Sequence, residues 1–221
     1  MSTVTTGRTL DANGDPVPGT GFELDPDSQF ADRVRERTGP VTSHPTRPVW
    51  GIPLEGSGDT IRTLSVFGPG YGGPPEHYHE QSPERFEVER GSLTMMLDGT
   101  DHEVTAGETA TVETGVTHTF RNDTDKRAVV ITNIYSPGRL RQVLPTLGGL
   151  AHDDDGNPEN PLQQALVADR LDGNTVFTRQ ERLEPLSRLL TPVAELAGYQ
   201  GAYAKYTQPA FWERHVEQPD L

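Results

Sequence analysis

The chain of 221 residues is long enough for one domain of ordinary size plus an extension, and a second core of similar size would be crowded. A formal charge of -14 and a pI near 4.8 repel a phosphate backbone, which argues against nucleic acid as a partner, and the absence of cysteine removes disulfides, thiolate metal sites and cysteine nucleophiles together. No stretch approaches the ~20 consecutive apolar residues of a spanning helix and the start MSTVTTGRTL lacks a basic-then-apolar leader, so a cytoplasmic protein with no membrane partner is expected.

Hydrophobic residues make up 32% of the chain and the mean hydropathy is -0.63, low values for a globular protein. Aromatic and branched residues nevertheless cluster enough to build a core, and 23 Gly with 19 Pro point to many turns and a β-rich architecture. Only Lys126 and Lys205 are lysines. An acid-rich, lysine-poor composition fits a salt-loving host and equally a genome that favours arginine codons.

Residues 1–47 are polar and dotted with Gly, Pro, Asp and Thr, and are expected to form an extended arm with little secondary structure. From 48 to 135 short strand-like runs alternate with turn signals: 49–54, 60–67, 85–91, 92–99, 109–113, 117–122 and 127–135. Asp98-Gly99 marks a hairpin, because glycine tolerates the positive φ of a type I′ turn, and 122–126 is a second polar turn. Six or more closely spaced strands predict an antiparallel sandwich or small barrel.

From 136 to 221 the pattern turns helical, with helices expected over 139–150 and 162–171. Leu186, Leu189, Leu190, Val193 and Leu196 form an apolar stripe at helical spacing, expected to pack on the barrel or a second subunit. Pro185 suits a first turn, Pro192 predicts a kink, and Gly198 can end that helix. The acidic run 153–160 lacks the spacing of an EF-hand calcium loop and is taken as solvated.

The chemistry concentrates in the histidines. His77 and His79 stand two apart, so on a strand both imidazoles point to one face and can meet one ion. Glu84 follows after a segment long enough to turn its carboxylate back beside them, and His118 sits on a separate strand. Three neutral imidazoles and a carboxylate suit a divalent transition metal: Fe, Mn, Ni, Cu or Zn.

The ordered set around these residues resembles the cupin superfamily. Its first motif, His-x-His, four residues, Glu, six residues, Gly, is filled by His77, His79, Glu84 and Gly91. In its second motif Gly107, Gly115, His118 and Asn122 match, while Glu113 replaces a proline; ahead of the first motif Tyr71 stands where a glycine is expected. The resemblance implies a mainly β fold, a double-stranded β-helix or jelly-roll barrel with C-terminal α-helices and the metal inside its mouth. It implies His77, His79, Glu84 and His118 as ligands, with one or two positions left open, and a homodimer paired through sheet edges.

Strand parity places Phe86 and Val88 on the same face as Glu84, and Phe120 and Asn122 on the same face as His118. Apolar neighbours around a metal favour a small organic substrate with an aromatic or apolar body, so Phe86 and Phe120 are candidate substrate contacts, although plain barrel core also explains them. Tyr78, Arg121 and His102 are expected at the surface, and one of Met95 and Met96 inside. The favoured activity is a mononuclear-metal dioxygenase similar to flavonol-cleaving cupins, with Glu84 accepting a substrate proton. The alternatives are a non-redox isomerase, epimerase or lyase using the metal as Lewis acid, and binding without turnover. Arg62 and Arg85 are the candidates for holding a phosphate under the second.

Overall fold

In the computed structural model, which describes residues 3–153, 160–171, 174–178 and 184–221 (184–189 by backbone alone), the first 47 residues are more than an extended arm. They supply β1 (Val4–Thr6), β2 (Phe22–Leu24), helix α1 (Gln29–Arg35) and β3 (Thr42–Ser43). Ser28 starts α1 by accepting from the Ala31 amide at 3.2 Å, occupying a donor the first turn leaves free. The apolar residues of this segment are sparse, which hides it from a pattern search, yet Phe22, Leu24, Phe30, Val34 and Val41 are all buried. Each such side chain contributes about 1.5–3 kcal/mol on leaving water.

The barrel strands are β4 (Val49–Leu54), β5 (Thr60–Phe67), β6 (His77–His79), β7 (Glu84–Arg90), β8 (Ser92–Leu97), β9 (Thr100–Thr105), β10 (Thr109–Val112), β11 (His118–Arg121) and β12 (Ala128–Tyr135). The C-terminal part adds α2 (Leu140–His152), α3 (Pro161–Leu171), β13 (Thr175–Phe177), α4 (Glu184–Leu196), a 3-10 turn (Ala204–Thr207) and α5 (Pro209–His215). Among the described residues the strands form a six-stranded antiparallel sheet, β10-β7-β12-β5-β4-β3, a five-stranded one, β13-β6-β11-β8-β9, and a separate β1-β2 pair. The fold is therefore a mainly β two-layered sandwich or barrel with C-terminal helices, as the resemblance implies.

Two turns show why the strands stop where they do. Asp98 and Gly99 have φ of 46° and 82°, the two left-handed positions of a type I′ hairpin between β8 and β9. Gly91 (φ 75°) turns the chain from β7 to β8, and a Cβ there would lie 2.5 Å from the Arg127 carbonyl, so only glycine fits.

Both faces of the six-stranded sheet are covered. Between the sheets lie Phe67, Phe86, Val88, Leu93, Met95, Val112 and Val130, with Phe120 partly buried against them. Met95 is the inward methionine; Met96 sits on the other face and accepts from the Gly99 amide through sulfur. Beneath the outer face Trp50, Ile52, Leu64, Val66 and Ile131 meet the N-terminal residues named above and Tyr206, Phe211 and Trp212 from the C-terminal end. The two ends of the chain are tied together: Thr9 bridges Val216, and Arg8 pairs with Glu217. A third cluster joins α2 and α3 (Leu140, Val143, Val167, Leu171) to Ile61, Ile134 and Phe177.

The described part of the α4 stripe does not pack on the barrel. Ala194 is fully buried, whereas Val193 and Leu196 are 55% and 91% exposed; the side chains of Leu186 and Leu189 lie outside the described residues, as do 154–159 of the acidic run. Gly198 (φ 88°) ends α4, with Tyr199 N donating to Ala194 O. Among the described residues no helix is long and apolar enough to cross a membrane.

Candidate metal centre

Strand alternation turns His77 and His79 to the same side of β6 and leaves Tyr78 on the other. His118, first residue of β11, pairs in register with His77 in the same sheet. Glu84, first residue of β7, reaches them from the opposite sheet. The exposures are 7% for His77, 3% for His79, 5% for Glu84 and 0% for His118, so the four form one buried group. One ligand atom from each lies within 4.8 Å of the other three. All four predicted ligands are brought together.

The hydrogen bonds behind the rings decide what the group can hold. A carbonyl oxygen only accepts, so Pro75 O at 2.8 Å fixes a proton on Nδ1 of His77, and Val116 O at 3.0 Å does the same for His118. A neutral ring then turns its Nε2 lone pair toward the centre. His118 Nε2 faces Glu84 Oε2 at 3.1 Å, a lone pair against a carboxylate, which is favourable only with positive charge between them. His79 Nε2 lies 3.3 Å from Glu84 Oε1 yet is buried without a hydrogen-bond partner. A proton satisfies one such contact. A divalent cation satisfies all four donors at once, so these residues fit a metal.

Burial is the largest single influence on the proton affinities of Glu84 and His77. It raises the proton affinity of the Glu84 carboxyl, but in the metal-free site a proton on the facing Nε2 of His118 or His79 outweighs it and holds the group at about 2. For His77 burial, reinforced by His118 and His79, lowers the imidazole to about 4. At neutral pH the site therefore offers a carboxylate and a neutral His77 ring, the forms that ligate.

The surroundings are apolar on both sides. Glu84 pairs across the sheet with Ile134, and Ile134 with Ile61. Phe86 and Phe120, two positions beyond Glu84 and His118, have rings 5.2 Å apart, and the Phe120 ring also packs with Phe67 and Tyr71. Tyr71, in the place where a glycine is expected, stacks on Phe67 at 5.0 Å. Asn122 is fully buried but turns away from any ligand role: its Nδ2 donates to the carbonyls of Phe67, Gly68 and Lys126, closing the 122–126 turn. His102 and Glu113 are exposed. Arg62 and Arg85 share a row across Asn133, on the face of the sheet opposite to Glu84, and so do not converge on the site.

Sequence reasoning missed β13. It is an edge strand beside β6, with Thr175 opposite His79 and Phe177 opposite His77. Thr175 Oγ1 is 2.9 Å from His79 Nδ1, and the rings of Phe177 and His77 are 5.8 Å apart. Three residues are too few for any periodicity to reveal, and the β-branched and aromatic character of TVF was the one available signal.

A family model described as the cupin domain matches residues 63–135, the segment that carries all four residues. Among similar solved structures are a sugar phosphate isomerase from a cupin superfamily of Silicibacter pomeroyi (25% identity, TM-score 0.37, 39% of this chain and 59% of that one) and an RmlC-like cupin from Shewanella frigidimarina (20%, 0.39, 46% and 86%). A third is described as a predicted oxalate decarboxylase from Thermotoga maritima (18%, 0.37, 39% and 79%). The chain thus covers 59% of the first of these, and likenesses so partial transfer no activity. No curated protein matches the chain.

Proposed function

We propose, from the match of residues 63–135 to the cupin-domain model and the buried group of three histidines and one glutamate they carry, that the chain is a metal-dependent dioxygenase acting on a small, partly apolar or aromatic organic substrate. The observation that supports this reading is the apolar character of the surroundings. Ile61, Ile134 and Phe177 adjoin the site from one side and Phe86 and Phe120 from the other, while Arg62 and Arg85 lie on the opposite face, unavailable to a phosphate.

His77, His79, Glu84 and His118 would hold one divalent transition metal ion, which supplies open coordination positions and Lewis acidity, with electron transfer if the metal is redox-active. The protein's own residues do the rest. The histidines stay neutral and fixed, and the apolar clusters exclude water and seat the substrate body, with the partly exposed Phe120 as its inner wall and the fully buried Phe86 packed behind it. Glu84 is the proton acceptor. Burial raises the proton affinity of its carboxylate, so once swung off the ion it would serve as the base beside a substrate hydroxyl. We also assign a homodimer to this reading, tested by the mass in solution.

The test is oxygen uptake. Protein loaded in turn with Fe(II), Mn(II), Ni(II) and Cu(II) is incubated aerobically with flavonols and catechol-type compounds. Uptake that depends on both metal and substrate, and that Glu84→Gln abolishes, is the expected result. Turnover of a carbonyl substrate without oxygen consumption replaces this reading with the Lewis-acid isomerase or lyase, and full metal occupancy without turnover across the panel replaces it with binding alone.

A further inference from the structure

We propose that Thr175, carried on β13 outside the cupin-matched segment, is a positioning residue of the metal centre: its hydroxyl accepts from His79 Nδ1 and so fixes the tautomer in which His79 Nε2 is a ligand. The inference rests on the metal reading above but not on the dioxygenase activity.

The geometry is specific to this strand. His77 and His118 have their Nδ1 protons fixed by the carbonyls of Pro75 and Val116, both two residues earlier in the chain. For His79 the partner is not local: its Nδ1 bonds to Thr175 Oγ1, 96 residues away in the chain. Both side chains are buried, at 3% and 6% exposure, so water does not substitute easily for the contact. If the hydroxyl instead donated to Nδ1, the proton would sit on Nε2, 3.3 Å from Glu84 Oε1 in a contact that is not a formed hydrogen bond, and Nε2 could not ligate. The tautomer with Nδ1–H satisfies that edge and leaves Nε2 free to ligate.

The position of Thr175 is itself clamped. The three pairs Thr175↔His79, Val176↔Tyr78 and Phe177↔His77 set the register, and a one-residue slip would turn the hydroxyl to the other face. At one end Glu80 N donates to Asn174 O, and the Asn174 side chain exchanges hydrogen bonds with Ser82, itself only 1% exposed. At the other end Thr178 N donates to Glu76 O. Both anchors lie immediately either side of His77–His79, so the C-terminal region grips the segment that carries two of the ligands.

The experiment compares the full-length chain with Thr175→Val, which keeps the shape and removes the hydroxyl, and Thr175→Ser, which restores it. Metal affinity is read by competition with a chromophoric chelator, and ligand geometry by the visible spectrum of the Co(II)-loaded protein. Thr175→Val should bind Co(II) and Zn(II) about 10–100-fold more weakly with an altered Co(II) spectrum, and Thr175→Ser should return close to wild type in both. A second measurement needs no variant: long-range 1H–15N spectra of the metal-free wild type should show His79 protonated at Nδ1. Equal affinity and an unchanged spectrum in Thr175→Val, or a proton found on His79 Nε2, overturns the positioning role while leaving the metal centre in place. A wild type that binds neither metal overturns both.

Discussion

Removing the His118 ring gives the sharpest test of the metal centre, because its consequence can be worked through in numbers. His118 is fully buried, stands 3.1 Å from Glu84 Oε2, and packs its ring 4.2 Å from that of His77. In the wild type, free metal at a hundred times its Kd stabilises the fold by about 2.7 kcal/mol. For a chain of this size each kcal/mol moves the Tm by about 2–4 °C, so metal should raise it by about 5–11 °C. Loss of a direct ligand costs at least the ~100-fold seen when a supporting partner is lost. His118→Ala at the same metal concentration then sits at or below its Kd, where the gain is at most about 0.4 kcal/mol, or about 1–2 °C. The assay is thermal unfolding by circular dichroism with and without metal, each protein being its own reference so that differences between the apo forms cancel. His102→Ala, at an exposed position on β9, should keep the full increment. A His118→Ala protein that retains the wild-type shift, or a His102→Ala protein that loses it, refutes the assignment of ligands.

The metal-free protein should lose stability as pH falls from about 6.5 to about 4. His77 and His152 are both held down to about 4 by burial, so across that window the unfolded chain takes up protons that the native one refuses; urea midpoints that stay flat over the window contradict this. Phe86→Ala, at a fully buried ring between the sheets, should cost about 3–5 kcal/mol in urea unfolding, and a loss under ~1 kcal/mol would place that ring outside the core. Trp212→Ala should cost a similar ~3–5 kcal/mol, because the indole is 4% exposed and donates to Tyr206 O at 2.8 Å under the outer face of the sheet; a neutral result would mean α5 is not part of the main core. Gly91→Ala should destabilise measurably through its clash with Arg127 O, and unchanged unfolding midpoints would show that the β7–β8 corner relaxes at no cost.

The alternation of side chains between 49 and 135, the Asp98-Gly99 turn and the spacing of His77, His79, Glu84 and His118 are local properties, carried by a repeat of two and by the φ that glycine tolerates, and they were legible without coordinates. So was the inward direction of Phe86 and Phe120, which follows from parity with the ligands. Other features depend on pairing between residues far apart, and no local pattern encodes them. Phe22, Phe30 and Val34 look like scattered apolar residues until the outer face of the sheet needs covering, and Leu196 looks like part of a buried stripe until the rotation of α4 buries Ala194 instead. The same holds at the site itself. Four donors can be counted along the chain, but the partner that faces the back of His79 arrives from 96 residues away, on a strand whose register is set by its neighbour. Composition and periodicity report what a segment can become; the closure of the two sheets, which brings distant backbone groups within hydrogen-bond reach, decides which side chains meet.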